Sequence, residues 1–287
     1  MRHAFARAAA VLLALLALPP AGCRREPPGR EYPITGHVLA VKADGAEITL
    51  RHDDIPGFMP AMTMPFKVKD PALARGRQVG DLVKGTLVVT DRDAWLSRLE
   101  KTGWAPFEER EEASRPAVEP VEAGQPVPDE TFIDQDGNAL KLSDLRGSAV
   151  LLTFVYTRCP LPEFCPRMDR QFASVQQAVR AGDVKGPVRL LSVSFDPDYD
   201  TPAVLREHAA RVGADPRIWR YATAPRDRVD AFGARLGLDV IRDPTNPADI
   251  THNLRTALID RQGRLVTVFG SEWTPEQAVK ALDEAAR

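Results

Sequence analysis

Residues 149–156, Ala-Val-Leu-Leu-Thr-Phe-Val-Tyr, form an apolar, β-favouring run that constrains the fold more than any other stretch of the chain. A strand with no polar face must be buried on both sides, as in parallel sheets flanked by helices. It leads directly to Cys159-Pro-Leu-Pro-Glu-Phe-Cys165-Pro166. Beyond Pro166, apolar residues recur at Met168, Phe172, Val175 and Val179, one face of an amphipathic helix that Gly182 ends. The strand therefore delivers a cysteine pair to a helix start, where α/β proteins place ligands. Unpaired N–H groups at that start favour a thiolate, so Cys165 is expected to ionise more readily than an exposed cysteine. Pro160 and Pro162 stiffen the loop and lower the entropy cost of holding the sulfurs together. Such a pair binds soft metal or exchanges disulfides. A plain stabilising disulfide is the alternative, although so short a loop gains little as a staple.

The rest of the second half supports the same plan. Residues 132–142 read as a hairpin turning at Asp136-Gly137, and 188–195 as a second buried strand. Thr201 then caps a helix that opens with Pro202. Residues 218–223 give a third strand, 226–236 a helix, 256–260 and 264–269 a hairpin, and Thr274-Pro-Glu-Gln277 a capping box for the last helix. A mixed sheet with helices on both sides, and cysteines where a parallel strand meets its helix, is an α/β, thioredoxin-like arrangement over 128–287. Asp196 and Asp200 read as turn residues with a secondary role in orienting the cysteine loop.

The chain has 287 residues, 44% hydrophobic, and a formal net charge of -2, enough for two domains and with no basic excess for a nucleic-acid surface. Its three cysteines are too few for a disulfide scaffold. The odd one, Cys23, follows Arg2, Arg7, the apolar run 8–18 and Pro19-Pro-Ala-Gly. That run is shorter than the ~20 residues a bilayer-spanning helix needs and suits a signal peptide's core over 1–23. Small residues before Cys23 resemble a bacterial lipobox, with Pro20 where an aliphatic residue is usual, so Cys23 is the expected lipidation site of a periplasmic, membrane-anchored protein. Simple secretion and an uncleaved anchor are the alternatives.

Residues 24–33 read as a charged, proline-rich tether and 102–127 as a linker, with Glu108-Glu-Arg-Glu-Glu112 and repeated prolines. Between them, 34–41, 46–51, 63–69, 82–90 and 94–99 alternate like five short strands, a small OB-like β-barrel over 34–101. Three of the five methionines, Met59, Met62 and Met64, fall within this unit. Met62 and Met64 share one strand face, where their thioethers can meet His52 from the preceding strand, a donor set that suits Cu(I). Filling gaps in a barrel core is the alternative use of methionine.

This His52 and Met62-Thr-Met64 pattern resembles the CusF-like periplasmic copper-binding domain. The resemblance implies His52, Met62 and Met64 as ligands. That family has a tryptophan where this chain has Met59, which makes Met59 a candidate fourth ligand. The second half closely resembles the Sco/SenC copper-chaperone family, on Tyr156-Thr-Arg-Cys159-Pro, Cys165-Pro, Ser192-Val-Ser-Phe-Asp196-Pro-Asp-Tyr-Asp200-Thr-Pro202 and His252. The resemblance implies one copper, Cu(I) with Cu(II) as a further candidate, held by Cys159, Cys165 and His252. Five residues separate the cysteines here, where three are commoner in the family. Alone, His252 would pass for a surface residue in a loop, and His3, His37 and His208 read as structural.

Three functions follow as expectations. The first is an exported metallochaperone, not an enzyme, that passes copper to an acceptor, for this family the copper centre of a cytochrome c oxidase subunit. The second is a thiol-disulfide oxidoreductase, with Cys159 and Cys165 as a redox disulfide and a thioredoxin-like reductant as partner. The third is copper buffering or resistance.

Overall fold

The computed structural model describes residues 29–106, 118–243 and 246–287. The segment 1–28, with Cys23, and the acidic part of the linker, 107–117, lie outside the described residues. Among the described residues no helix is long and apolar enough to cross a membrane.

The N-terminal sheet contains β1 (Arg30–Val41), β2 (Glu47–His52), β3 (Met62–Lys67), β4 (Asp81–Val89) and β5 (Ala94–Trp104). All pairings are antiparallel, in the order β3-β2-β1-β4-β5. Alternation decides which side chains enter the core: Ile48, Leu50 and His52 from β2, Met62, Met64 and Phe66 from β3. The sheet curls until Val68, just past β3, bridges Leu96 of β5, giving an OB-like unit that stops short of full closure. Two ends run longer than their composition predicts. Arg30 to Pro33, read as tether, pair with 86–89 of β4, because charged residues are tolerated on the outward positions of a paired strand. Likewise β5 continues through Gly103 and Trp104 against Leu82 and Asp81.

The C-terminal sheet follows as β6 (Thr131–Asp134), β7 (Ala139–Lys141), β8 (Ala149–Val155), α1 (Cys165–Ala181), β9 (Val188–Ser194), α2 (Pro202–Val212), β10 (Trp219–Thr223), α3 (Arg226–Arg235), β11 (Val240–Asp243), β12 (Asn246–His252), β13 (Thr256–Ile259), β14 (Leu265–Phe269) and α4 (Pro275–Ala285). Strand order is β14-β13-β8-β9-β10-β6-β7, with β8, β9 and β10 parallel. Every residue of β8 is buried, as its composition requires. Thr201 caps α2 by accepting from the Val204 N–H, and Thr274 with Gln277 forms the box that opens α4. Residues 121–127, within the stretch read as linker, are tied to this sheet: Val121 N–H donates to Arg235, Gly124 N–H to Leu265 and Val127 N–H to Gly263.

One element has no counterpart in the sequence pattern. Strands β11 and β12 form a separate two-stranded ribbon with His252 opposite Val240. Pro247 argues for a loop there, but it falls where the register shifts between the Asp243–Asn246 and Arg242–Ile250 pairings, so no ladder pair is given up at that position. Its anchor is Arg242, which donates to both carboxylate oxygens of Asp230 and to the Phe195 carbonyl.

Gly36 fixes how closely β1 can approach the end of β2. A Cβ at Gly36 would sit 2.5 Å from the Arg51 carbonyl oxygen and 2.8 Å from the His52 Cα. Gly36→Ala is expected to destabilise the N-terminal sheet by ~1–3 kcal/mol, the usual range for overpacking, read from urea unfolding. A change below a few tenths would show that the strands yield freely.

Candidate metal centre

The cysteine loop is fixed at its entry by carboxylates. Asp200 accepts the Thr157 N–H at 3.0 Å, the Thr157 hydroxyl and the Ser194 hydroxyl. Asp196 holds the Arg158 guanidinium at 2.7 Å, and that guanidinium lies 4.9 Å from the Tyr199 ring centre. Burial raises the Asp200 pKa, against the pull of the hydroxyls and the amide that it accepts. Both aspartates do orient the loop: Asp200 fixes the backbone two residues ahead of Cys159 and Asp196 the side chain one residue ahead.

Both cysteines are free thiols and buried, Cys159 8% exposed and Cys165 2%. Their acidities are the reverse of the sequence expectation. Cys159 is lowered, first by a hydrogen bond from the Cys165 thiol, then by backbone donors that include the Cys165 amide, and by the Tyr156 hydroxyl. Cys165 is raised well above the usual thiol value by burial and by its role as donor to Cys159. Cys165 is the first residue of α1, yet the N–H of that first turn is aimed at the other sulfur. Spacing places a cysteine at a helix start but cannot show which sulfur its amides face. Tyr156 is held as a neutral phenol, its pKa raised by burial and by the two thiols.

His252, at the end of β12, packs edge-on to Tyr156 with ring centres 5.5 Å apart, and 4.8 Å from Phe195. Its Nδ1 lies 2.9 Å from the Asn253 carbonyl oxygen. A carbonyl only accepts, so Nδ1 carries the proton and Nε2 keeps the lone pair a metal needs. Burial, helped by the Arg242 charge, lowers its pKa to about 4, so the ring is neutral near pH 7. Cys159 and His252 line one cavity. Among the described residues no three His, Cys, Asp or Glu side chains converge on one point, so the fold unites the two thiols and brings His252 to the Cys159 side without closing a three-ligand cluster.

The N-terminal residues repeat this chemistry. His52 sits directly across from Met62 on the β2–β3 pairing, and Leu50 across from Met64. Met62 and Met64 point to the same buried face, 3% and 8% exposed. The His52 Nδ1 lies 2.7 Å from the Asp53 carbonyl oxygen, which fixes the same tautomer as at His252. Met59 closes a tight loop through reciprocal backbone hydrogen bonds with Ile55, and its side chain is buried in the core of this sheet. His208 is structural, its Nε2 2.8 Å from Asp169, which also accepts from Tyr221 at 2.6 Å. His37 lies in β1 opposite Arg51, and His3 is outside the described residues.

Cys159 and His252 of one set face Met62 and Met64 of the other, while Cys165, His52 and Met59 do not line the space between them. The partly open cavity lined by Cys159 and His252 is also lined by Tyr156 and the loop residue Phe164 from the C-terminal half and by Met62 and Met64 from β3, with a volume of about 20 Å³. Thiols, thioethers and imidazoles form a soft donor set that fits Cu(I) and suits neither Mg²⁺ nor Ca²⁺.

The SCO1/SenC sequence pattern matches residues 122–287. The chain belongs to that family. Residues 31–101 match the pattern of the copper binding periplasmic protein CusF. A relative of this SCO1/SenC protein is the SCO1 protein homolog of Bacillus subtilis, 26% identical over 147 residues, covering 50% of this chain and 74% of the relative. Among solved structures, a SCO1/SenC family lipoprotein from Bacillus anthracis is 22% identical with a TM-score of 0.51, covering 57% of this chain and 96% of that one. BsSco, a member of the Sco family of cytochrome c oxidase assembly proteins in which a disulfide switch is identified, is 22% identical with a TM-score of 0.50, covering 59% and 98%. Both establish the thioredoxin-like fold of the C-terminal sheet.

Two shifted groups beside the site act oppositely on stability. The fold keeps His252 neutral down to about 4 against an ordinary 6.5, so acidification through that window costs stability. Burial raises Glu163 from 4.5 to about 7, so its contribution is full below 4.5 and is lost as pH rises through 7. Urea unfolding at two pH values inside both windows should show Glu163→Gln losing more stability on acidification than the native chain and His252→Gln losing less. The thiol pair gives a second test. Mapped alkylation of the reduced protein should reach Cys159 first, with a midpoint below that of an ordinary thiol, and Cys165 only on unfolding; equal labelling would contradict the asymmetry.

Proposed function

We propose that this SCO1/SenC protein is an exported copper metallochaperone that takes Cu(I) as cargo on Cys159, Cys165 and His252, with a second site on His52, Met62 and Met64. Its acceptor is the copper centre of a cytochrome c oxidase subunit, the assembly with which the neighbouring BsSco is associated. The observation that carries this reading is the presence, around one small cavity, of a thiol, thioethers and an imidazole whose Nε2 keeps its lone pair. Loading replaces two thiol protons by one copper ion and needs the reduced pair. A signal peptide over 1–23 and lipidation at Cys23 would hold the protein on the periplasmic membrane face, where an oxidase copper centre is assembled.

A second reading, dithiol oxidoreductase, draws on the asymmetry of the thiols. A lowered Cys159 beside a raised Cys165 is the division between attacking and resolving sulfur that disulfide exchange uses. Its expected partner is a thioredoxin-like reductant. Copper buffering is a third use of the same ligands. Loss of oxidase activity at low copper on gene deletion supports delivery, whereas loss of copper tolerance alone supports buffering.

Titration of the reduced chain against a chromophoric Cu(I) chelator should give two Cu(I) per chain. Cys159→Ser should remove one and the pair Met62→Ala with Met64→Ala the other. A stoichiometry untouched by either change would sink the two-site scheme.

A further inference from the structure

The loop between the cysteines does more than join them. Of its residues, Leu161 is 0% exposed, and it is buried in the apolar core of the N-terminal sheet rather than that of its own. Phe164 packs against both cores. Residues of this kind at the tip of a proline-stiffened loop would otherwise project into water, so the lengthened spacing has a purpose in packing: it supplies an apolar plug. The ribbon adds a second contact along the edge strand β3, where the Thr251 hydroxyl donates to the Thr63 carbonyl at 2.9 Å and the Asn246 amide to the Ala61 carbonyl at 2.6 Å.

We propose that this docked arrangement is a copper handover state within one chain, in which Leu161 plugs the N-terminal sheet and Cu(I) crosses the shared cavity from Met62 and Met64 to Cys159 and His252. The proposal rests on the two-site reading above. The cavity of about 20 Å³ has room for one ion, the scale of a single water-sized particle. Its walls carry donors from both sheets, so the ion can gain a new ligand before it gives up an old one. The exchange balances without an oxidant. The copper bonds to Met62, Met64 and His52 break, while a copper-thiolate bond forms at Cys159 and a copper-imidazole bond at His252. The Cys159 thiol proton goes to water, the second thiol proton leaves when Cys165 completes the site, and the metal stays Cu(I). Direction follows from charge, because an anionic sulfur outbinds neutral thioethers for a soft monovalent cation. The docked sheet also covers the cysteine face, so an acceptor protein must wait until the halves part.

The test uses the full chain with Leu161→Asp, a residue outside both ligand sets. Small-angle scattering of the metal-free protein should show a larger radius of gyration, and hydrogen exchange should rise in β3 and β12 while β8 and β9 stay protected. Cu(I) titration should still give two ions. With one equivalent supplied from a chelator, the near-ultraviolet copper-thiolate band should grow in the native chain at a rate independent of protein concentration. In the variant that rate should fall about tenfold rather than vanish, since the chain connection alone keeps the halves at about millimolar effective concentration. An unchanged scattering profile, or an undocked variant with an unchanged rate, overturns the proposal. Should Leu161→Asp misfold, Thr251→Val with Asn246→Ala removes these two side-chain bonds to the N-terminal sheet and carries the same expectations. A native stoichiometry other than two would instead bring down the two-site reading, leaving docking to stand or fall on the scattering alone.

Discussion

A buried carboxylate at the exit of the central strand governs the site. Asp200 gathers the Thr157 amide and two hydroxyls, so the chain leaving β8 has one available path. That path puts Tyr156 beside Cys159 and swings the loop back so that Cys165 can open α1. With three donors the carboxylate is well satisfied despite its burial, which is the condition for keeping a polar group in a core. The apolar β8 behind it cannot shift, being packed on both faces.

From this anchored exit the electrostatics follow. One sulfur collects donors and the other supplies one, so the pair shares a single readily lost proton in place of two equivalent thiols. The histidines show a parallel economy. His52 and His252 lie in unrelated sheets, yet each ties its Nδ1 proton to the carbonyl of the residue after it. Both rings are thereby oriented by a backbone carbonyl, which fixes the tautomer without adding a net charge of its own beside the soft donors.

Much of this was legible in the sequence, for local reasons. Period-two alternation identified the strands of the first sheet and put Met62 and Met64 on one face; Gly182, Thr201 and Thr274 marked helix ends by capping chemistry that acts within a few residues. What could not be read depends on contacts far apart in the chain. The ribbon that carries His252 is held by Arg242 reaching Asp230 and Phe195, against the local preference of Pro247. The thiol asymmetry depends on burial and on which sulfur accepts the other's proton and the nearby amides. The fate of Leu161 is set by a sheet nearly a hundred residues upstream, and its spacing signal, two residues more than the family commonly has, was visible without its meaning.

The position of β3 at the margin of its sheet has a further consequence. Whenever the ribbon lifts away, an uncovered strand edge becomes a template on which other chains can grow in register, the route to fibrils. Pro65 and Lys67 stand on that strand. The first has no amide hydrogen to offer an incoming backbone, and the second sets a charge against stacking of like copies. The two sheets of the proposed handover state can therefore part without leaving an edge that seeds aggregation.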